Sequence, residues 1–151
     1  MQRIELEQLA AQFVDAALEV HRELGPGLLE SAYEIAPCRE LNLRNLSFER
    51  QKPMPVSYKG VLLDCGYRID LLVEEVIVLE LKTADELTPL HDTPLLTYLK
   101  LTGCSIGFLL NFNTRLMKHG LKRLVHKLDE SGKPSVRTPL AFSSRPSRRR
   151  G

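Results

Sequence analysis

Three ionisable residues stand where the chain is otherwise oily. Asp70 lies in the apolar run 69–73, and Glu80 and Lys82 lie in the run 76–82, with only Leu81 between them. Both runs read as strands. Side chains alternate across a strand, so Glu80 and Lys82 share a face. Glu74 and Glu75 form a tight connection, and a simple hairpin about them sets Asp70 opposite about residue 79, one register step from Glu80. Two carboxylates and an ammonium are therefore expected at the end of a buried hairpin. Buried charge is costly unless it is paired or binds a metal. Spacing alone leaves two readings open. One is a Glu–Lys ion pair at a strand end, reaching solvent. The other is a divalent-cation site. Mg2+ takes oxygen ligands, usually one or two carboxylates completed by water and substrate phosphate. A lysine beside such a site can orient a water and offset charge developing on phosphate.

The elements that must position these residues follow from periodicity. Leu6, Leu9, Phe13, Ala17, Val20 and Leu24 recur at helical spacing, and Gly25-Pro26-Gly27 ends that helix. A second helix is expected over 28–44 on Leu28, Ala32, Ile35, Cys38 and Leu41, bent or split at Pro37. From Ser47 the chain turns extended, with Phe48, Pro53, Pro55, Val56 and Tyr58 suiting an edge strand, and Lys59-Gly60 a turn. Residues 62–73 read as one long strand with a break near Gly66, and 76–82 as a central strand covered on both faces. Thr88-Pro89 and Thr93-Pro94 are both helix starts by composition. An interior proline is unfavourable, so the stable helix is expected from Pro94 to about Thr102, stopped by Gly103. Strands over 106–112 and 120–127 complete the order α-α-β-β-β-α-β-β, which suggests an α/β (α+β) fold with a mixed central sheet flanked by helices.

The pattern Asp-x9-Glu-x-Lys across a hairpin resembles the PD-(D/E)XK nuclease superfamily. Upstream, Gly27-Leu28-Leu29-Glu30-Ser31-Ala32-Tyr33 resembles the GxxExxY signature of one small bacterial family within it. Phe48-Glu49-Arg50-Gln51, Tyr67-Arg68-Ile69-Asp70, Glu80-Leu81-Lys82, Leu95-Leu96-Thr97-Tyr98-Leu99 and Leu109-Leu110-Asn111-Phe112 match in order over about 15–127. The resemblance implies a restriction-endonuclease-like core and a Mg2+- or Mn2+-dependent nuclease that hydrolyses phosphodiester bonds. Asp70, Glu80, Glu30 and the Leu81 carbonyl would serve the metal, and Lys82 the attacking water. Tyr98 would contact nucleic acid. DNA is ranked ahead of RNA as the partner, and pairing of two copies is allowed. Tyr33 and Glu34 share a helix face with Glu30. Tyr33 reads first as core packing, and Glu30 by itself as a solvated helix residue until the motif is weighed. The chain departs from the family at Pro94, where a glutamine is usual, and at Pro37. An alternative is therefore a catalytically weakened module of this fold that binds nucleic acid or a protein.

At 151 residues, with 43% apolar and 26% charged residues, the chain suits one domain with a core of its own. No stretch reaches the ~18 apolar residues of a membrane span. The start MQRIELEQLA has no apolar signal-like region. Cys38, Cys65 and Cys104 are an odd set without CxxC spacing, which argues against a disulfide framework or zinc knuckle and suits the cytoplasm; each reads as a small buried apolar residue. His91 reads as a surface or satisfied histidine, and His21, His119 and His126 lack metal-ligand spacing. No P-loop, GxGxxG or GxSxG occurs. Residues 1–130 hold 15 Lys+Arg and 19 Asp+Glu, whereas 131–151 hold six cations and no acid. The expected organisation is a nuclease-like domain over 1–130 and a basic, disordered tail over 131–151. Arg148, Arg149 and Arg150 in that tail could add phosphate contacts without sequence selectivity, or could simply solubilise the terminus.

Overall fold

The computed structural model describes residues 2–128 and 134–135. Helix α1 (Arg3–Leu24) buries Leu9, Ala10, Phe13, Ala16, Ala17, Val20 and His21 on one face. The chain then turns at Gly25 into α2 (Glu30–Leu43). Strands β1 (Phe48–Pro53), β2 (Val56–Tyr58), β3 (Val61–Leu63), β4 (Arg68–Val73) and β5 (Ile77–Lys82) follow. Helix α3 (Pro89–Thr102) crosses to β6 (Ile106–Asn111), and a short 3-10 turn leads to β7 (Leu121–Val125). Last come β8 (Lys127–Leu128) and β9 (Pro134–Ser135), which pair with each other.

The central sheet has five strands in the order β1-β4-β5-β6-β7, with β5 and β6 parallel and the other neighbours antiparallel. It is the expected mixed sheet flanked by helices, consistent with a restriction-endonuclease-like fold. Helices α1 and α2 cover one face, where Phe13, Tyr33 and Leu41 pack with Leu71, Leu79, Leu81, Phe108 and Phe112. Phe13 and Phe108 stack with ring centres 5.2 Å apart. Helix α3 covers the other face, packing Leu95, Tyr98 and Leu99 on Leu72, Val78 and Leu109. It lies close on β6 because residue 107 has no side chain: a Cβ there would sit 2.8 Å from Leu95 Cδ1. Burial on both faces explains the oily texture of β5 and β6, whose residues are buried from Ile77 to Leu81 and from Ile106 to Asn111.

The structure corrects several expectations. Helix α3 begins at Pro89, with Pro94 inside it. The early turn is held by the Thr88 backbone N–H, which donates to His91 Nδ1 at 2.8 Å, and by the buried Asp92, which pairs with Lys122 Nζ at 2.6 Å. Those contacts outweigh the hydrogen bond that Pro94 cannot make. Helix α2 likewise runs unbroken through Pro37. The 62–73 run does break near Gly66 as expected, leaving β3 and β4 as separate strands, and Gly66 has φ +82°. Strand β3 pairs with β2 as a separate hairpin. Cys38 and Cys104 are buried, but Cys65, in the loop between β3 and β4, is exposed. Most of 131–151, including Arg148, Arg149 and Arg150, lies outside the described residues; within that span Pro134–Ser135 form β9.

Candidate active site

The site is built where β4 and β5 stop pairing. Their ladder runs Val73↔Ile77, Leu72↔Val78 and Leu71↔Leu79. The Val76 N–H bonds the Val73 carbonyl at 3.0 Å, with Glu74 at φ +51° and Glu75 at φ +61° between them. Val76 is thus one residue more than a symmetric two-residue hairpin needs. That residue shifts the register by one step from the expected pairing and brings Asp70 across from Glu80 instead of Leu79. At this level side chains take over from the backbone ladder. The Leu81 N–H donates to Asp70 Oδ2 at 2.8 Å, and the Asp70 N–H reaches Glu80 Oε1 at 3.4 Å.

Asp70 is also held from β1. The Gln51 amide donates to Asp70 Oδ1 and to Glu34 Oε1, each at 3.1 Å. Glu34, on α2, is in turn gripped by Arg50, with Nη2 to Oε2 at 2.7 Å. Gln51 adopts φ +49°, between the paired positions Arg50↔Leu71 and Lys52↔Ile69. A non-glycine residue in the left-handed region costs about 1–3 kcal/mol, and such strain tends to collect where a side chain must be aimed.

Glu80 is buried, at 6% exposure. Burial, then the neighbouring Asp70 charge, pushes its carboxyl up to about 8, with Lys82 pulling the other way and Glu30 adding a small further push. Burial also raises Asp70, against the hydrogen bonds from Leu81 and Gln51. Lys82 is half-buried and, among the described residues, makes no ion pair within 4.0 Å with either carboxylate. A Glu80–Lys82 pair at the strand end, one of the two readings left open by spacing, is therefore not what is built.

The remaining sequence-derived residues divide clearly. Glu30 is exposed at the first turn of α2 and influences Glu80 only through its charge. Among the described residues no three His, Cys, Asp or Glu side chains are grouped tightly enough to hold one ion. Tyr98 is 6% exposed, packed in the α3 cluster; burial and then the Glu80 charge raise its hydroxyl pKa. Tyr33 is fully buried and stacks on Phe112 with ring centres 4.5 Å apart. Its hydroxyl donates to the Gly25 carbonyl at 2.5 Å and accepts the Leu28 N–H at 3.0 Å. Tyr33 thus fixes the Gly-Pro-Gly turn that delivers Glu30. His91 is spent on the α3 cap.

Two residues were not singled out by type and spacing. Gln51 is one. The other is Asn111, 1% exposed at the end of β6, whose side chain accepts the Ala84 N–H at 3.0 Å and donates to the Ala84 carbonyl at 2.9 Å. It clamps the segment that leaves Lys82. The signal for each was a polar residue in a matched stretch with no role of its own.

The donor chemistry fits a divalent cation. Two carboxylates are hard oxygen ligands, and Mg2+ commonly takes only one or two from the protein. Here the two lie across one strand pair, both destabilised as anions by burial, and among the described residues no cation makes an ion pair with either. A family model described as the PD-(D/E)XK nuclease superfamily matches residues 7–124. The chain belongs to the PD-(D/E)XK nuclease superfamily. Searches of curated proteins and of solved structures found no match. In this superfamily member the Asp, the Glu-x-Lys and the sheet that carries them are all present. Among the described residues no helix is long and apolar enough to cross a membrane.

Proposed function

We propose that this protein is a metal-dependent nuclease of the GxxExxY type that hydrolyses phosphodiester bonds in nucleic acid, DNA ahead of RNA. The observation that carries the reading is the half-buried Asp70 paired with the buried Glu80, beside a Lys82 that makes no ion pair among the described residues, within a chain that matches a nuclease superfamily. Asp70 and Glu80 would hold Mg2+ or Mn2+, with the Leu81 carbonyl and Glu30 as further oxygens. When bound, the cation would supply Lewis acidity toward a phosphate oxygen and the attacking water. Lys82 would donate a hydrogen bond to orient that water and would offset charge on the phosphate. Gln51 and the Leu81 N–H keep the Asp70 carboxylate aimed. Tyr98, on α3, has a hydroxyl that feels the Glu80 charge, and it would serve the nucleic-acid side of the site. The folded unit is taken as 1–130, with 131–151 a basic extension whose Arg148, Arg149 and Arg150 add phosphate contacts. The setting is cytoplasmic, and two copies would pair to cut two strands.

Pro94 favours a second reading, a module that binds nucleic acid without cutting it. Pro94 is exposed on α3 and offers no amide where the superfamily resemblance calls for glutamine. Cleavage of supercoiled plasmid and of single-stranded oligonucleotide with Mg2+ or Mn2+ separates the two. The nuclease reading requires cleavage by the wild type, abolished by EDTA and lowered at least ~100-fold by Asp70→Asn and by Lys82→Ala. Wild-type binding without cleavage establishes the second reading, and activity that survives both substitutions removes the assigned roles.

A further inference from the structure

A cavity of about 510 Å³ lies beyond the end of α1, lined by Leu18, His21, Arg22, Gly25, Arg115, Leu116, Met117 and Lys118. Its wall carries four basic side chains and no acid. Arg22 is held on one side by an ion pair with Glu19. His21 is buried, and its Nε2 donates to the Thr114 carbonyl at 2.8 Å, fixing the loop that bears Arg115 and Lys118. Arg115 and Lys118 are both exposed, and among the described residues neither makes a hydrogen bond or ion pair. Two free cations on one cavity wall repel each other, so their placement gains most from an anion between them.

The cavity opens at the same end of the sheet as the carboxylates. The Phe112 N–H, just past β6, bonds the Lys82 carbonyl at 3.1 Å, and the loop that carries Arg115 and Lys118 continues from there. Gly25, in the cavity wall, accepts the Tyr33 hydroxyl, and five residues later the chain reaches Glu30. Glu80 pairs with Leu109, which packs under α3, whereas the cavity is walled by α1 on the other face, so the acidic site and the cationic wall flank one end of the sheet from its two sides. A polyanion approaching Asp70 and Glu80 meets repulsion there and needs compensation close by.

We infer that Arg115, Lys118 and Arg22 form a phosphodiester-backbone subsite that seats the strand next to the bond to be cut. The inference rests on the nuclease reading and deepens it. Binding of a labelled duplex oligonucleotide, followed by fluorescence anisotropy with Ca2+ over a salt series, tests it. Arg115→Gln/Lys118→Gln should weaken binding about 10- to 100-fold at low salt and flatten the log Kd–log salt slope by about 1–2, since each duplex phosphate contact contributes about 0.9. Arg3→Gln is the control. Arg3 is exposed at the far end of α1, about 28 Å away by helix rise, and its loss should leave both quantities unchanged. If the wild type binds but the double variant matches it in affinity and slope, the subsite falls and the nuclease reading stands. If the wild type binds no polynucleotide, both fall. Binding of a mononucleotide that the double variant loses, with duplex binding unaffected, assigns the cavity to a free phosphate ester and overturns the backbone role.

Discussion

The Asp70 carboxylate accepts the backbone N–H of Leu81 at 2.8 Å, the residue between Glu80 and Lys82. One carboxylate therefore sets its own position by gripping the strand that carries the other two groups. The three charges move as a unit with the β4–β5 pair, and a shift of that register would scatter them. The geometry of the candidate site and the strand pairing are the same structural fact in this protein.

Gln51 keeps that unit in alignment from the neighbouring strand. Gln51→Gly removes the amide that joins Asp70 to Glu34 while relieving the positive φ at this position. Cleavage should fall about 10- to 100-fold, as loss of a partner of a metal-site ligand generally does. Thermal stability should be unchanged or higher. A variant that loses stability and activity together would make Gln51 a structural residue only.

Asn111 acts on the other side of the site. Asn111→Ala leaves the Ala84 N–H without its acceptor and the Ala84 carbonyl with only the longer Asn113 amide at 3.4 Å, and loosens the segment after Lys82. The loss should be about 1–3 kcal/mol, read by urea denaturation. Cleavage should fall further than duplex binding does, because only the aim of Lys82 is disturbed. Equal losses in both would place the effect in the fold at large.

Stability in EDTA should depend on pH with two opposed slopes. Glu80 has its folded pKa raised from 4.5 to about 8, so the folded state holds a proton the unfolded state has released, and stability is lost as pH rises through that window. His126, buried with neither ring nitrogen hydrogen-bonded among the described residues, is lowered from 6.5 by burial and then by Lys100. It costs stability in the opposite direction, as pH falls below 6.5. Between 6.5 and 8 Glu80 acts with little opposition, and the loss should be about 2 kcal/mol. Glu80→Gln should abolish it. A flat profile in the wild type, or an unchanged one in the variant, would contradict the buried-acid account.

Much of this site was legible in the chain. Period-two alternation put Glu80 and Lys82 on one face, and the apolar runs around Asp70 and Glu80 announced a central, doubly covered hairpin. The register was one step off because nothing in Glu74-Glu75-Val76 declares which residue is the extra one. The start of α3 depended on the buried Asp92–Lys122 pair, and Lys122 lies on a strand 30 residues away in sequence. Gln51 and Asn111 stayed hidden for the same reason. Each acts on a partner that only the assembled sheet brings near, across the β2–β3 hairpin in one case and the α3 crossover in the other. Residue type shows what a side chain can do, and pairing decides to whom.

Titration calorimetry with Mn2+ tests the central claim most directly. The wild type should bind Mn2+, and Asp70→Asn and Glu80→Gln should each weaken that binding by at least about tenfold while the fold is kept. Wild-type protein that binds no Mn2+, or variants that bind it as tightly as the wild type, would show that these carboxylates do not form a cation centre.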